Sequence, residues 1–517
     1  MTEKQPLKQG IVYLIGAGPG DPGLITVKGR DCLRCADLVV YDYLANPALL
    51  AEAPCAAERI FVGKTRGRHQ LPQQEINALL VEQARRGRIV ARLKGGDPYV
   101  FGRGGEEAEE LQAAGVPFEV VPGVSAGFAA AAYAGIPLTH RDFTTSLGLI
   151  TGHENPLKKV SSLDWSKLAT GVGTLVFYMG MSNLALIAEQ LMTHGRSPET
   201  PIAVIRWGTT PRQQTVCATL ADVVTQVARA GLKPPAIIVV GEVVRLRNKL
   251  RWFDNRPLFG RRVLVTRDQQ QSRGLAGLLE AAGAEAICVP TVRIAPPDCW
   301  SGLDREIAAL TGTDYLILTS VNGVTAFFER LAAAGLDSRA LHGVQIVAVG
   351  PKTAAGLTVH GLKADLIPRR FQAEGILDLL RQRDLKGRRI LYPRSSLARD
   401  LLGDALRRAG ARVEAPVAYR TEPAPEEAVR LRQLLETDQL DAVTFTSAST
   451  VDNCLALLDA EGRQRLGQLV IAAIGPLTAA ALKAQGMTAG VEAAEASCES
   501  LVSALADAFR TAHERGV

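Results

Sequence analysis

The sequence has 517 residues, of which 47% are hydrophobic and 22% are charged, and its formal net charge is +6. This composition excludes a disordered, collagenous or coiled-coil chain, and at about 150 residues per domain the length predicts three or four domains. The first ten residues are polar, and the longest stretch of small apolar residues, 124–138, is too short to span a bilayer. We therefore expect a soluble, cytoplasmic protein with no membrane partner.

The charge is unevenly distributed between the two halves of the chain. Residues 1–260 carry 29 Lys and Arg against 23 Asp and Glu, whereas residues 261–517 carry 30 of each. The excess positive charge of the first half is too scattered to indicate nucleic-acid binding, for which basic runs interleaved with aromatic residues are expected. It would suit an anionic small molecule, although a solvated surface explains it equally well.

The eight cysteines are too sparse for a disulfide scaffold. Cys32 and Cys35 have the CxxC spacing, but a zinc site would need a second such pair or paired histidines, and the sequence has neither. The helical pattern around this pair instead predicts two buried residues one turn apart. We expect no metal site.

The first half alternates apolar strands with helices, which predicts a mostly parallel α/β sheet. An apolar strand at 11–15 runs into a glycine-rich turn, and a helix follows at 26–36. Further strands are predicted at 38–41, 59–62, 89–93 and 118–121. A second group, which we assign to a second lobe of the same unit, is predicted at 147–151, 174–178, 201–206 and 236–240.

An inter-domain linker is predicted at 251–260, and the second half that follows contains an internal repeat. The segment 261–264 recurs at 388–391, and 318–320 recurs at 445–447, both shifted by 127 residues. The segment 348–355 recurs at 473–480, shifted by 125 residues. Three landmarks in one order predict two similar α/β lobes, with a ligand site in the cleft between them.

Three glycine-rich turns follow strands of the first half, at 16–21, 95–97 and 122–126. Glycines at such turns let the backbone approach a ligand closely, or they serve only as tight turns. The first turn lacks the GxGxxG spacing, which argues against a dinucleotide site. Asp97 could accept hydrogen bonds from a ribose or an amine, or it could cap its own turn.

Several ionisable or hydroxyl side chains also lie at strand ends. Asp42 and Lys64 are each typical of a surface, but as a pair facing one cleft they could exchange protons with a substrate. In the second half, Thr-Ser pairs and Gly-Pro-x-Thr loops could hold carboxylates or simply cap helices. Tyr419 could act as a general acid in a cleft, although a buried tyrosine is commoner.

Residues 9–252 resemble the uroporphyrinogen-III C-methyltransferase family. The segments that carry the resemblance are 16–21, 39–42, 62–64, 93–98, 101–106, 121–126, 135–141 and 178–180. The resemblance implies a two-lobed α/β fold, with lobes at about 9–125 and 126–250, that forms a homodimer. It also implies that S-adenosylmethionine binds in the trough between the lobes.

The resemblance further implies that two methyl groups pass from S-adenosylmethionine to ring carbons of uroporphyrinogen III. The products are S-adenosylhomocysteine and, through precorrin-1, precorrin-2. Asp42 is the implied proton acceptor and Lys64 the implied proton donor. The implied cofactor contacts are Pro19, Gly95, Gly96, Asp97, Val100, Ser125, Ala126, Met179 and Gly208. Basic residues suited to the eight substrate carboxylates are Arg66, Arg68, His69, Arg103 and Arg141.

Residues 261–510 resemble the uroporphyrinogen-III synthase family, through segments 319–323, 371–375, 419–420, 445–447 and 475–479. The implied reaction closes hydroxymethylbilane with loss of water and inversion of the last ring, and it needs no cofactor. Tyr419 matches the tyrosine proposed to protonate the leaving hydroxyl, while Ser320, Ser447 and Thr478 could hold carboxylates or hydroxyls. The implied lobes are 261–290 plus 421–517, and 295–415, joined by strands near 289–294 and 415–419.

We therefore expect an α/β chain in two parts, joined by a linker at 251–260. The first part (9–250) has a two-lobed tetrapyrrole-methylase fold. The second part (261–517) has a two-lobed uroporphyrinogen-III synthase-like fold with an internal repeat. The expected function is a bifunctional enzyme on the way to cobalamin or sirohaem. About ten residues precede the methyltransferase match, so we expect precorrin-2 to be released to another enzyme. Two alternatives stay open: a methyltransferase of a later corrin intermediate with an inactive synthase half, and a non-enzymatic binding module.

Overall fold

The computed structural model describes residues 10–63, 71–152, 163–267, 269–396, 401–437 and 439–514. These residues fold into two compact units. The first unit extends to Arg261 and takes in Leu279–Glu285 and the chain from Phe509, while the second comprises Arg262–Leu278 and Ala286–Ala508. Within the described ranges, no helix is long and apolar enough to cross a membrane, and no cluster of three or more His, Cys, Asp or Glu side chains could hold a metal.

The first lobe of the first unit is a five-stranded parallel sheet in the order β3-β2-β4-β1-β5. Its strands are β1 (Ile11–Gly16), β2 (Leu38–Tyr41), β3 (Glu58–Phe61), β4 (Ile89–Lys94) and β5 (Phe118–Val121). Its helices are α1 (Val27–Arg34), α2 (Gln73–Arg85) and α3 (Gly104–Ala113). The inner strands are largely buried on both faces, as expected for a parallel sheet covered by helices, and they are apolar except for Arg92 and Lys94 in β4. The carboxyl ends of all five strands therefore meet at one edge.

The second lobe is a mixed five-stranded sheet in the order β6-β7-β10-β8-β9. Only β6 and β7 run parallel, and the other three pairs are antiparallel. Its strands are β6 (Leu147–Thr151), β7 (Thr174–Tyr178), β8 (Pro201–Arg206), β9 (Gln214–Thr219) and β10 (Ala236–Val240). Its helices are α4 (Ala126–Tyr133), α5 (Trp165–Gly171), α6 (Leu184–Thr193), α7 (Val223–Arg229) and α8 (Arg247–Leu250). The edge strand β9 was not predicted, because it is half exposed and carries no apolar run.

The described residues of the second unit form three sheets, in the orders β12-β11-β20-β21-β22, β15-β14-β16-β18 and β13-β19-β17. Its strands are β11 (Arg262–Val265), β12 (Glu285–Cys288), β13 (Val292–Ala295), β14 (Tyr315–Leu318), β15 (Gln345–Ala348), β16 (Arg389–Leu391), β17 (Arg394–Ser395), β18 (Arg412–Glu414), β19 (Val417–Pro423), β20 (Ala442–Phe445), β21 (Val470–Ala473) and β22 (Val491–Glu492). Its helices are α9 (Gln269–Ala281), α10 (Ser301–Ala308), α11 (Val321–Ala333), α12 (Pro351–Thr358), α13 (Ala373–Leu380), α14 (Leu401–Arg408), α15 (Ala428–Glu436), α16 (Ala448–Ala456), α17 (Ala460–Leu466), α18 (Pro476–Ala484) and α19 (Cys498–Glu514).

The internal repeat of the sequence is a repeat of structure. In one lobe β14 lies between β15 and β16, and in the other β20 lies between β21 and β11, with all four pairs parallel. The repeated segments thus occupy equivalent positions in two sheets, which confirms the predicted two-lobed α/β fold. β13 pairs with β19 in an antiparallel manner. In the sequence, each of these two strands lies where the chain passes from one lobe to the other.

The prediction that Cys32 and Cys35 are buried was wrong. Both thiols are free, Cys32 is only partly covered and Cys35 is exposed. The reason is the orientation of α1, which turns Gly29 and Leu33 toward the sheet.

Candidate functional site

The three glycine-rich turns of the first lobe pack backbone against backbone at the carboxyl edge of the sheet. Gly18 and Gly96 exchange two hydrogen bonds, with N···O distances of 2.8 and 3.2 Å. A Cβ atom on Gly123 would lie 2.3 Å from the Gly96 carbonyl oxygen and 2.6 Å from the Gly16 Cα. No side chain fits between these turns, so they form one continuous backbone surface.

This packing makes Gly123→Ala a sensitive substitution. The three nearest atoms that the new methyl group would meet all belong to the backbone, so we expect a loss of about 1–3 kcal/mol in the free energy of unfolding. Gly105→Ala is the matched control, since a Cβ there meets nothing within 4 Å and the residue lies in the first turn of α3. Thermal unfolding of the two variants checks the prediction, and equal midpoints would contradict it.

Asp97 fastens two of these turns together. Its Oδ1 accepts a hydrogen bond from the Tyr99 backbone at 2.8 Å, and its Oδ2 accepts one from the Gly123 backbone at 3.0 Å. The turn-capping role considered from the sequence is therefore present. Each carboxylate oxygen can still accept a further bond, which leaves the predicted ligand role open.

The start of α4 is tied to the end of β7 through Tyr178. The Tyr178 hydroxyl lies 2.7 Å from Ser125 Oγ and accepts a hydrogen bond from the Gly127 backbone at 3.0 Å. Burial raises the pKa of the Tyr178 phenol. Ser125 is buried at the N-cap of α4. Tyr178 was not among the predicted site residues, because an apolar strand pattern does not reveal the partner of its terminal hydroxyl.

The loops after β4, β7 and β8 hold strained backbone. Among the described residues, five that are not glycine adopt a positive φ, and all are in these loops: Phe101, Arg103, Met179, Trp207 and Thr209. Such conformations cluster at functional sites, where surrounding structure enforces them. The predicted cofactor contact Met179 is 53% exposed.

Four other predicted cofactor contacts pack closely against neighbouring parts of the first unit. Val100 and Ala126 pack against the core of the second lobe. Gly208 lies against α4, where an added Cβ would be 2.5 Å from the Cβ of Ala130. Gly95 lies against the loop after β2, where an added Cβ would be 2.5 Å from the Cβ of Leu44.

The first glycine turn, which contains the partly exposed Pro19, is fastened to the loop after β8. The Asp21 backbone donates to Thr209 Oγ1 at 3.0 Å, and the Tyr133 hydroxyl donates to Asp21 Oδ2 at 2.7 Å. Burial and the hydrogen bond to Asp21 both raise the pKa of Tyr133. Loops from both lobes therefore meet at the edge where the glycine turns lie.

Asp42 follows β2 at the same edge of the sheet. Its Oδ1 accepts a hydrogen bond from the Leu44 backbone at 3.1 Å, and its Oδ2 lies 3.6 Å from the Arg92 guanidinium. The side chain is 28% exposed, so it can be reached from outside. Lys64, Arg66, Arg68 and His69 lie outside the described residues, and their roles stay predictions.

Two predicted substrate-binding arginines are exposed. Arg103 forms an ion pair with Glu106 at 2.7 Å, and Arg141 lies in the loop before β6. The hydrogen bond from Arg103 lowers the pKa of Glu106. A substrate carboxylate at Arg103 would therefore compete with an existing partner.

In the second unit the structure joins two of the four predicted residues. The Tyr419 hydroxyl, on a side chain that is largely buried, lies 2.9 Å from Ser320 Oγ. Ser320 is also the N-cap of α11 and accepts from the Gly323 backbone at 2.9 Å. Ser447 caps α16 in the same way, and Thr478 is buried in α18. The last two belong to the other lobe.

Two family models match the chain. Tetrapyrrole (Corrin/Porphyrin) Methylases matches residues 11–224, and Uroporphyrinogen-III synthase HemD matches residues 273–503. The porphyrin biosynthesis protein HemD of Ruminiclostridium josui is 38% identical over 450 residues, which are 87% of this chain and 89% of that protein. The uroporphyrinogen-III C-methyltransferase of Bacillus subtilis is 46% identical over 336 residues, which are 65% of this chain and 68% of that protein.

Solved structures similar to the first half include the uroporphyrin-III C-methyl transferase of Thermus thermophilus, complexed with S-adenyl homocysteine. That chain is 41% identical, and the match covers 46% of this chain and all of that one, with a TM-score of 0.40.

Proposed function

Since the chain belongs to the tetrapyrrole methylase and uroporphyrinogen-III synthase families, we propose that it is a bifunctional enzyme with two consecutive activities. The second half closes hydroxymethylbilane to uroporphyrinogen III, with loss of water and inversion of the last ring. The first half then methylates two ring carbons to give precorrin-2. The observation that carries the methyltransferase assignment is the continuous backbone surface of the three glycine turns, with the Asp42 carboxylate at the same sheet edge.

The residues at this edge fit S-adenosylmethionine. The glycines of these turns let the backbone approach a nucleoside closely, and Asp97 keeps acceptor capacity for its hydroxyls or amine. We assign the binding role to Pro19, Gly95, Gly96, Asp97, Val100, Ser125, Ala126, Met179 and Gly208. When bound, S-adenosylmethionine supplies an electrophilic methyl group on sulfur.

Asp42 is the proposed proton acceptor. Addition of a methyl group to a pyrrole carbon leaves a cationic ring, which must lose a proton to become neutral. The Asp42 carboxylate is held at one oxygen by the Leu44 backbone and is partly exposed, so it can take that proton. Lys64 remains the proposed proton donor. Because the pyrrole is already nucleophilic, positioning supplies much of the rate.

The substrate carboxylates are proposed to bind Arg66, Arg68, His69, Arg103 and Arg141, by charge. We also propose that the methyltransferase half forms a homodimer.

In the synthase half, Tyr419 donates the proton to the leaving hydroxyl, which departs as water. Its hydrogen bond with Ser320 supports this role, because it fixes the direction of the phenol. Ser320, Ser447 and Thr478 are the proposed partners of substrate carboxylates and hydroxyls.

One anaerobic experiment tests both activities. The purified protein receives hydroxymethylbilane with or without S-adenosylmethionine, and the products are separated by chromatography after oxidation. We expect type III uroporphyrin without S-adenosylmethionine and a dimethylated product with it. Type I uroporphyrin alone, the product of spontaneous closure, would overturn the synthase assignment. Unmethylated product from supplied uroporphyrinogen III would overturn the methyltransferase assignment.

A further inference from the structure

The N-terminus of α4 is capped by a side chain from another element. Ser125 occupies the N-cap with extended backbone, the position from which a serine hydroxyl ordinarily accepts a hydrogen bond from the second or third N–H of a helix. Its Oγ makes no such bond. The second N–H of α4, that of Gly127, donates instead to the Tyr178 hydroxyl at 3.0 Å. Tyr178, at the end of β7, therefore takes the capping role that Ser125 leaves open.

The Tyr178 phenol is fixed by packing as well as by hydrogen bonds. A Cβ atom on Gly127 would lie 2.3 Å from the phenol oxygen, so the absence of a side chain there permits the close approach. The Tyr178 ring also contacts the ring of Phe101 from the loop after β4, with 4.9 Å between their centroids. The phenol is largely buried between these neighbours and is held in one orientation.

The direction of the hydrogen bond between Tyr178 and Ser125 follows from the number of protons available. The Gly127 N–H can only donate, so the phenol oxygen accepts there and has its own proton to donate elsewhere. Burial raises the pKa of the Tyr178 phenol, which keeps that proton in place. Among the described residues, the acceptor that it reaches is Ser125 Oγ at 2.7 Å. The Ser125 hydroxyl thus accepts from Tyr178 and keeps its own proton for another acceptor.

Ser125 lies beside other predicted cofactor contacts. A Cβ atom on Gly96 would be 3.5 Å from the Ala126 backbone nitrogen and 3.9 Å from the Ser125 Cα. Ser125 is itself buried, and a buried donor without an acceptor is costly. A ligand atom at this edge of the sheet would relieve that cost. The next residue after Tyr178, Met179, has a φ of 56° and an exposed side chain, so the strand end presents Met179 outward and Tyr178 inward.

We propose that Tyr178 is a positioning residue for S-adenosylmethionine, because it caps α4 in place of Ser125 and leaves the Ser125 hydroxyl to donate a hydrogen bond to the cofactor. The proposal rests on the proposed binding role of Ser125. Tyr178 acts from a strand of the second lobe on a residue that follows β5 of the first. Without the phenol hydroxyl, Ser125 can turn back to cap Gly127, and the cofactor loses its donor.

The test is the dissociation constant of S-adenosylhomocysteine, measured by isothermal titration calorimetry on the full chain. Tyr178→Phe keeps the ring packed against Phe101, and we expect it to weaken binding about tenfold, the effect of one lost hydrogen bond. Ser125→Ala should weaken binding by a similar factor. Tyr13→Phe is the matched control, since it removes a phenol hydroxyl from a partly buried tyrosine of β1 that lies beside Cys32, and it should leave the affinity unchanged.

Steady-state kinetics distinguish positioning from a general disturbance of the site. The lost hydrogen bond is made in the ground state and in the transition state alike, so Tyr178→Phe should raise KM for S-adenosylmethionine about tenfold and leave kcat unchanged. Thermal unfolding of the same preparation checks that the variant is folded. A large fall in kcat with an unchanged KM would overturn the proposal.

A double variant shows whether Tyr178 acts through Ser125. If it does, Tyr178→Phe combined with Ser125→Ala should weaken binding about tenfold, as each single variant does, because both substitutions remove the same bond to the cofactor. A loss of about 100-fold, the product of two independent effects, would overturn the proposal. Wild-type affinity of the Tyr178→Phe variant would also overturn it.

Failure of this proposal can be told apart from failure of the proposed function. If Ser125→Ala binds S-adenosylhomocysteine as tightly as the wild type, Ser125 is not a donor to the cofactor, and both its binding role and the role of Tyr178 fall. If Ser125→Ala weakens binding while Tyr178→Phe does not, only the role of Tyr178 falls. Methylation of supplied uroporphyrinogen III by the wild-type protein tests the proposed function separately.

Discussion

Asp42→Asn is expected to lower the rate of methylation by at least about 100-fold and to leave ring closure unchanged. Loss of a general base typically costs 10²–10⁴-fold in rate. The amide keeps the shape of the side chain and can still accept the Leu44 hydrogen bond, but it cannot take a proton from the methylated ring. The measurement is product formation from supplied uroporphyrinogen III, with ring closure of hydroxymethylbilane measured on the same preparation.

The control for this variant is its affinity for S-adenosylhomocysteine, which should match that of the wild type. Equal affinity with lost methylation separates a missing base from a collapsed site. A methylation rate within a few-fold of the wild type would remove Asp42 from the mechanism.

Tyr419→Phe is expected to slow ring closure by about 100-fold while methylation of supplied uroporphyrinogen III stays at the wild-type rate. The ring packs in the core of one synthase lobe and is retained, whereas the hydroxyl that bonds Ser320 is lost. Formation of type III uroporphyrinogen, measured against the spontaneous type I product, gives the rate. An unchanged rate would exclude Tyr419 as the acid.

Tyr315→Phe provides the matched control for this substitution. Tyr315 is a buried tyrosine on β14, in a core of the same unit, and it was not assigned to the site. The same chemical change there should leave ring closure unaffected. Slowing in both variants would point to packing and away from proton transfer.

The sequence predicted the strands of the first half closely because they are apolar runs that end at glycine turns. It also predicted the equivalence of the two synthase sheets, since the repeat marks the same strands in each lobe. It missed β9, which is half exposed, and it misjudged the burial of Cys32 and Cys35. In both cases the burial of the residues depends on tertiary packing, which a local sequence pattern does not reveal.

The site was predicted in part for the same reason. Asp42, Asp97 and Ser125 lie in recognisable segments, and the structure brings their loops to one edge. The contacts that hold them come from residues far away in the chain: Tyr178 is 53 residues from Ser125, and Gly123 is 26 residues from Asp97. Charged residues inside an apolar strand, such as Arg92 and Lys94, were the available signal for a buried ion cluster, which they form with Glu107 of α3.

The strand pairing of the second unit has a consequence for its synthesis on the ribosome. β11 pairs with β20, and Val263 lies beside Ala442. The stretch of sequence between these two neighbouring strands therefore contains the whole of the other lobe. At about 5–20 residues per second, β11 emerges roughly 10–40 s before its neighbour exists. The enclosed lobe, whose strands are all closer in the chain, can form first. Once the enclosed lobe has folded, the segments that precede and follow it in the sequence are brought together. The lobe whose first strand is synthesised first is therefore the last to complete its sheet.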